Sequence, residues 1–267
     1  MIRYLLAALA LIATPAIAQT VTVKDPYGMW WAGKWTCRIT DQGGIPKAPE
    51  GNTITVEQPT PDGIKVTFSH AYSVGYPWGI RSYNACNFGA GRGVKSTPSL
   101  AIRVADAGAL VQPFAFRVDR KSGDFNLLAE TFLTSTPTDT GWGNLEVGFH
   151  LWDNKSLNDW LRRKCAKTAS PPCTPGAYIA KARGTFTDRQ GVTWMVVLAP
   201  GPTGPRGYAI IKPLTPIISG VLPWGDALAY LVKAGIARPD DYMQGAFFGV
   251  EVVNGAASVS VDLGVIR

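Results

Sequence analysis

Apolar and polar residues alternate along most of the chain in short runs bounded by Gly, Pro, Asn and Asp. A period of two is what a strand with one buried face requires. These runs predict strands at 52–57, 64–69, 101–105, 114–119, 126–134, 144–152, 178–187, 193–199, 209–213, 244–253 and 257–265. Only two segments carry helical spacing. Over 226–235, Asp226 is placed to cap, Leu228, Leu231 and Val232 form an apolar stripe, and Gly235 suits a left-handed stop. Over 154–164, Leu157, Trp160 and Leu161 repeat that spacing and lead into Cys165. Strands dominate both ends and the middle, so the pattern predicts an all-β protein.

Composition narrows this picture. The chain of 267 residues is 46% apolar and 17% charged, which excludes a disordered protein and supplies one large core. A sandwich of this size commonly folds as one unit, and no repeat or Pro/Gly/Ser linker divides the chain. The 29 Gly and 20 Pro imply many turns. Residues 1–18 read as a signal peptide, with Arg3, an apolar stretch over 4–13 and the small-x-small site Ala16-Ile17-Ala18. The expected mature domain is therefore 19–267, secreted or periplasmic. No later apolar run approaches the roughly 18 residues a membrane span needs, so no membrane association is expected. The net charge of +7 is dispersed apart from Arg162, Arg163 and Lys164, which is unlike a nucleic-acid-binding arm.

Export places Cys37, Cys86, Cys165 and Cys173 in an oxidising compartment, where two disulfides are expected, Cys37 with Cys86 and Cys165 with Cys173. The second would close 153–175 into a short helical insertion. A metal site lacks C-x-x-C spacing and could draw on only two histidines, His70 and His150. Neither metal nor cofactor is expected. The glycines of Gly89-Ala-Gly-Arg-Gly93 are followed by no Lys-Ser/Thr and no helix, so they form a turn and not a phosphate loop. There is no G-x-S-x-G elbow for a serine triad.

The carboxylates say more. Only five Glu occur: Glu50, Glu57, Glu130, Glu146 and Glu251. Over 145–152, alternation puts Leu145, Val147, Phe149 and Leu151 on one face and Glu146, Gly148, His150 and Trp152 on the other. Over 247–253, Phe248, Val250 and Val252 oppose Phe247, Gly249, Glu251 and Val253. Each Glu thus has a Gly two residues away on its own face. Glycine weakens a strand interior, and two readings fit: close approach of a ligand, or a bulge on an ordinary water-facing sheet.

The stretches Ala227-Leu-Ala-Tyr-Leu-Val-Lys-Ala-Gly-Ile236, Tyr242-Met-Gln-Gly-Ala-Phe-Phe-Gly-Val-Glu251 and Ser258-Val-Ser-Val261 resemble the end of glycoside hydrolase family 12. That family has a helix, then a strand ending Gly-Thr-Glu-Pro-Phe, then a closing Ser-Val-Ser-Val strand. Arg81-Ser-Tyr-Asn84, Glu130-Thr-Phe-Leu-Thr134 and Glu146-Val-Gly-Phe-His-Leu151 are similar to its Lys-Ser-Tyr-x-Asn, Asp-Leu-Phe-Thr and Glu-x-Met-Ile-Trp-Leu segments. The resemblance is strongest over the last 45 or so residues and weak before Trp78. It implies a jelly-roll β-sandwich of two curved antiparallel sheets with one α-helix on the back. By it, Glu146 would be the nucleophile, Glu251 the general acid/base and Glu130 the auxiliary carboxyl. Glu130 stands where the family has Asp, Gly148 and His150 where it has Met and Trp, and Val252 where it has Pro.

Retaining glycoside hydrolysis uses two carboxyls about 5–5.5 Å apart, one ionised and one protonated, and a third nearby separates their pKa values. The implied activity is that of an endo-β-1,4-glucanase acting on cellulose-like or xyloglucan-like β-glucan, as a monomer. Candidate sugar platforms are Trp30, Trp31, Tyr72, Trp78, Trp142 and Trp152; Trp35 and Trp194, inside alternating runs, read as core. His150 either hydrogen-bonds a sugar hydroxyl or is a satisfied structural histidine. A non-catalytic carbohydrate-binding protein on the same fold is the competing class, though it would need no pair of Glu at catalytic spacing.

Overall fold

The C-terminal alternation runs on without a break, and this decides the architecture. The computed structural model describes residues 20–24, 29–41, 52–60, 62–72, 80, 82–91, 99–139, 141, 143–153, 155–167, 175–200 and 205–267. The strands are β1 (Val21–Lys24), β2 (Met29–Ala32), β3 (Trp35–Asp41), β4 (Thr53–Thr60), β5 (Gly63–Tyr72), β6 (Ser82–Gly89), β7 (Ile102–Arg103), β8 (Gln112–Lys121), β9 (Asp124–Thr134), β10 (Leu145–Trp152), β11 (Lys181–Thr187), β12 (Thr193–Ala199), β13 (Tyr208–Pro213), β14 (Ser219–Leu222), β15 (Tyr242–Met243) and β16 (Gly245–Gly264). The helices are α1 (Lys155–Leu161) and α2 (Trp224–Lys233).

The two strands expected over 244–253 and 257–265 are one, the 20-residue β16. Its first half pairs with β6 and β9, and its second half, from Gly255, pairs with β5 and β8. The ladder shifts between Val252 and Asn254. There Gly255 adopts φ +73°, and a Cβ on it would meet Gly123 Cα at 2.3 Å, so only glycine lets the strand pass the β8–β9 turn. One layer is therefore β1-β4-β5-β16-β8-β14, and the other is β2-β3-β6-β16-β9-β10-β13-β12-β11. This is the expected β-sandwich, with one correction. β10 and β13 run parallel, because α1 and the β11–β12 hairpin lie between them in the chain.

The layers close on Ile54, Val66, Phe68, Phe116, Phe125, Leu127, Val250 and Val259, all buried in one cluster. Full burial of such side chains contributes roughly 1.5–3 kcal/mol each. Behind β10, β12 and β11 the apolar cover is α2. Phe149 meets Trp194 and Trp224 edge-on at 5.0 and 4.9 Å, and Tyr230 stacks on Phe186 at 5.2 Å. Trp35 and Trp194 are core residues as expected.

Several local expectations are corrected. The strand over 101–105 is reduced to β7, followed by a 3-10 turn at Val104–Asp106. Helix α2 starts at Trp224 behind Pro223, and Asp226 does not cap it. Its carboxylate accepts from the Arg189 backbone N–H at 3.0 Å and pairs with that guanidinium. Gly235 does end the helix, at φ +69°. Helix α1 stops at Leu161 because Arg163 and Cys165 bond to Ile179 and Ala177 as a small ladder. Cys37 and Cys86 face each other across β3 and β6 and form the expected disulfide. Cys165 is also disulfide-bonded; Cys173 lies outside the described residues, as does the expected signal peptide. No described helix is long and apolar enough to cross a membrane.

Candidate active site

Glu130, Glu146 and Glu251 come from three neighbouring strands of the second layer, β9, β10 and β16. One row across it reads Phe247, Glu130, Gly148, Ile210, and Glu146 stands between Phe132 and Tyr208. Glu251 lies opposite Asn126, whose side-chain amide donates to Glu251 Oε2 at 3.0 Å. All these side chains share the face turned away from the sandwich core, because the intervening residues, Leu127, Ala129, Val147, Phe149 and Val250, belong to that core. Tyr83, Ala85, Leu128, Phe132 and Phe247 make an apolar floor beside them. Glu130 is 1% exposed and Glu146 is 8% exposed.

Beside Glu146, on β13, stands a group that sequence reasoning missed. Tyr208 is buried beside Glu146, and burial first, then Glu146, Glu130 and Glu251, push its phenol well above the usual 10. Its hydroxyl shares a 2.6 Å hydrogen bond with His150 Nε2. His150 Nδ1 lies 3.3 Å from Asp153 Oδ1. Asp153 pairs with Lys212, whose ammonium donates to Asn158 Oδ1 of α1 at 3.3 Å. Burial works to raise the Asp153 carboxyl, but His150 and Lys212 outweigh it and hold the group below its ordinary range.

This arrangement corrects three expectations. His150 is 2% exposed, bonds Tyr208 through Nε2 and has Nδ1 3.3 Å from Asp153 Oδ1, so it is a buried histidine turned onto protein groups and not a sugar-facing one. Trp152 does not continue the Glu146 face. A bulge between His150 and Trp152 breaks the alternation, and Trp152 stacks on core residue Phe125 at 6.1 Å with Lys121 over its ring. The glycines mark close approach by protein groups and not by a ligand. A Cβ on Gly148 would lie 2.4 Å from Tyr208 Oη, and one on Gly249 would lie 2.3 Å from the Asn84 carbonyl of β6. Trp78 and Trp142 lie outside the described residues. Of Trp30, Trp31 and Tyr72 the backbone register is described: they stand opposite Cys37, Thr36 and Gly255.

The insertion reaches the same face. Trp160 and Leu161 of α1 pack with Val197, Ala199, Tyr208 and Ile210; Tyr208 and Ile210 are the register neighbours of Glu146 and Gly148, and Ala199 and Val197 flank them on β12. Nothing in the local sequence of Tyr208 advertises its role. Its signal is the parallel pairing with Glu146, which exists only once the insertion and the hairpin have folded back.

No family model matches the sequence, and neither does any curated protein. Solved structures do. Endoglucanase Cel12A from Rhodothermus marinus superposes with a TM-score of 0.66 at 18% identity, over 92% of this chain and 99% of that one. A family 12 xyloglucanase from Bacillus licheniformis gives 0.65 at 14%, over 92% and 100%. The Humicola grisea Cel12A catalytic domain, in complex with a thio cellotetraose, gives 0.66 at 15%, over 92% and 98%. At these identities the likeness establishes the fold: the chain has the jelly roll of family 12 glycoside hydrolases.

Proposed function

We propose that the protein is a retaining endo-β-1,4-glucanase of the family 12 type, exported and acting on cellulose-like or xyloglucan-like β-glucan. Glu146 attacks the anomeric carbon, Glu251 protonates the leaving oxygen and later deprotonates the incoming water, and Glu130 holds Glu146. What carries this reading is that Glu130, Glu146 and Glu251 stand on one face of the strands β9, β10 and β16, in a fold that family 12 enzymes share. Glu130 and Glu146 are diagonal neighbours on adjacent strands, since Glu130 faces Gly148. Asn126, donating to Glu251, orients the acid/base.

The anomeric outcome is the sensitive readout. Glu146 and Glu251 align with Phe132 and Asn126 of β9, six residues apart, which on a flat sheet would be about 20 Å along the strand. Sheet curvature and the reach of both side chains have to close that span to about 5–5.5 Å for retention, whereas a gap of about 6.5–9.5 Å would admit a water and invert. Proton NMR of the first product should show the β-anomer. Glu146→Gln and Glu251→Gln should each lower hydrolysis of a β-glucan panel by at least about a hundredfold with an unchanged thermal midpoint. Wild-type-like turnover in either variant removes that residue from the mechanism.

The near-complete burial of Glu130 and Glu146 favours a second reading, a carbohydrate-binding protein on the same fold. Its signature would be oligoglucoside binding by the wild-type chain without product release.

A further inference from the structure

Between Asp159 and Asp188 the sequence holds no carboxylate side chain, yet it holds Arg162, Arg163, Lys164, Lys167, Lys181 and Arg183. All six are exposed, and among the described residues none of them is in an ion pair. The neighbouring cations are committed: Lys212 pairs with Asp153, Arg206 with Asp241 and Arg189 with Asp226. Consecutive like charges left without counter-charge present a positive potential to whatever approaches.

Local structure fixes where that potential sits. Helix α1 ends at Leu161, which packs with Trp160 against Tyr208 and Ile210, the register neighbours of Glu146 and Gly148. The run Arg162-Arg163-Lys164 therefore starts where the cover of the glutamate face stops. It then lies in a small antiparallel ladder. Cys165 donates its N–H to the Ala177 carbonyl at 2.7 Å, Ile179 donates to the Arg163 carbonyl at 2.9 Å, and Lys164 stands opposite Tyr178. Cys165 is buried and disulfide-bonded, so a cross-link backs the hydrogen bonds. The three cations are thus held on a braced backbone at the margin of the face.

Tyr178 supplies what charge alone lacks. Its side chain is 56% exposed, and Lys164 Nζ lies 5.6 Å from its ring centroid. An exposed aromatic ring offers a flat surface to the apolar C–H face of a sugar, and an ammonium beside it is a partner for a carboxylate. Arginine adds a planar pair of donors that matches carboxylate geometry. A neutral glucan would use the ring and leave the charges idle. Lys181 and Arg183 stand on the edge strand β11, where charge also deters strand addition, so they are not counted in the site.

We infer that Arg162, Arg163, Lys164 and Tyr178 form a subsite for a carboxylate-bearing sugar, and that the polymer crossing the glutamate face is an acidic polysaccharide. As a statement about substrate this rests on the hydrolase reading above; as a statement about binding it does not.

The experiment compares two β-1,4-glucans, anionic carboxymethyl cellulose and neutral hydroxyethyl cellulose. Binding is measured by isothermal titration calorimetry with full-length chain carrying Glu146→Gln, and cleavage with the wild type. The chain should bind the anionic polymer at least about tenfold more tightly at low salt, and the preference should vanish as the Debye length shrinks below about 5 Å. Replacing Arg162, Arg163 and Lys164 together by Ser should weaken binding of carboxymethyl cellulose about tenfold and leave hydroxyethyl cellulose unchanged. The charge-conserving set Arg162→Lys, Arg163→Lys and Lys164→Arg should retain most of the preference, and the single Arg163→Glu serves if the triple variant folds poorly. A matched control, Arg103→Ser with Lys233→Ser and Arg267→Ser, removes the same net charge elsewhere and should change neither affinity. Equal affinity for the two polymers, an equal loss on both, or the same loss in the control overturns the subsite. So does binding of duplex DNA or of phosphatidylglycerol vesicles as tight as that of carboxymethyl cellulose at the same salt. If the wild type cleaves neither polymer yet shows the charge-dependent preference, the hydrolase reading fails and the subsite stands. If it cleaves hydroxyethyl cellulose while the triple variant binds carboxymethyl cellulose unchanged, the reverse holds.

Discussion

Gly148→Ala adds a single methyl to a strand, a change that ordinarily stabilises by roughly 0.5–1 kcal/mol through lost backbone freedom. Here the opposite is expected. Gly148 is not among the glycines at positive φ, so backbone strain plays no part. The new Cβ would sit 2.4 Å from Tyr208 Oη and 2.9 and 3.0 Å from two of its ring carbons, against the roughly 3.5–4.0 Å at which carbon atoms attract. The ring cannot swing away freely, because Val197, Ala199 and Ile210 are buried with it and Trp160 and Leu161 pack over that group. Forcing a shift in such surroundings costs about 1–3 kcal/mol. The shift also breaks the 2.6 Å bond to His150, and leaving a buried nitrogen unpaired costs about 1–3 kcal/mol more. After the backbone gain the net loss is about 1–5 kcal/mol, or roughly 2–20 °C in thermal midpoint at about 2–4 °C per kcal/mol for a chain of this size. Differential scanning calorimetry reads it directly. In the double variant with Tyr208→Phe the nearest contact is gone, so the two losses should fall short of additivity by at least about 1 kcal/mol. A midpoint within about 1 °C of wild type for Gly148→Ala, or strict additivity, refutes the idea that Tyr208 is why position 148 is glycine.

His70 is 3% exposed, and burial lowers its pKa from 6.5 to about 4. The folded state then binds fewer protons than the unfolded one between those values, so stability is full above pH 6.5 and falls by about 3 kcal/mol as the pH drops to 4. His70→Leu should flatten that part of the plot of midpoint against pH; parallel curves would show that His70 is not the source. Arg206 forms two bonds of 2.6 and 2.7 Å with buried Asp241, and Arg206→Met should cost about 3–5 kcal/mol in urea unfolding. A loss below 1 kcal/mol would mean the pair is already solvated. Trp160→Ala uncovers the β12–β13 part of the candidate face, and it should alter activity on polymeric glucan more than on a short aryl oligoglucoside. Equal effects on both substrates would place the insertion outside the cleft wall.

The parts of the fold that were legible in sequence are those whose two faces differ. β10 alternates because Leu145, Val147, Phe149 and Leu151 meet the core while Glu146, Gly148 and His150 take the other side, although both sides are buried. β6 is equally buried but reads Ser82-Tyr-Asn-Ala-Cys-Asn-Phe-Gly89, with apolar and polar residues mixed on each face, so it has no period to detect. β1, β2 and β15 are too short for a period to show. Within the site, Glu146 and Glu251 stood out by scarcity and by a glycine beside each, and the resemblance added Glu130. Extrapolating the same period to Trp152 failed at a bulge, since one extra residue sends every later side chain to the other face. The glycine signal was sound in kind, because something does approach Gly148 closely, but a one-dimensional pattern cannot say what. Tyr208 answers that question through a parallel ladder whose two strands are separated in the chain by an insertion and a hairpin. A residue brought to a site this way leaves no local mark beside the group it serves. Its best trace in the sequence is the gap it requires in its neighbour, and a glycine next to a candidate nucleophile is therefore evidence for a missing partner before it is evidence for a ligand.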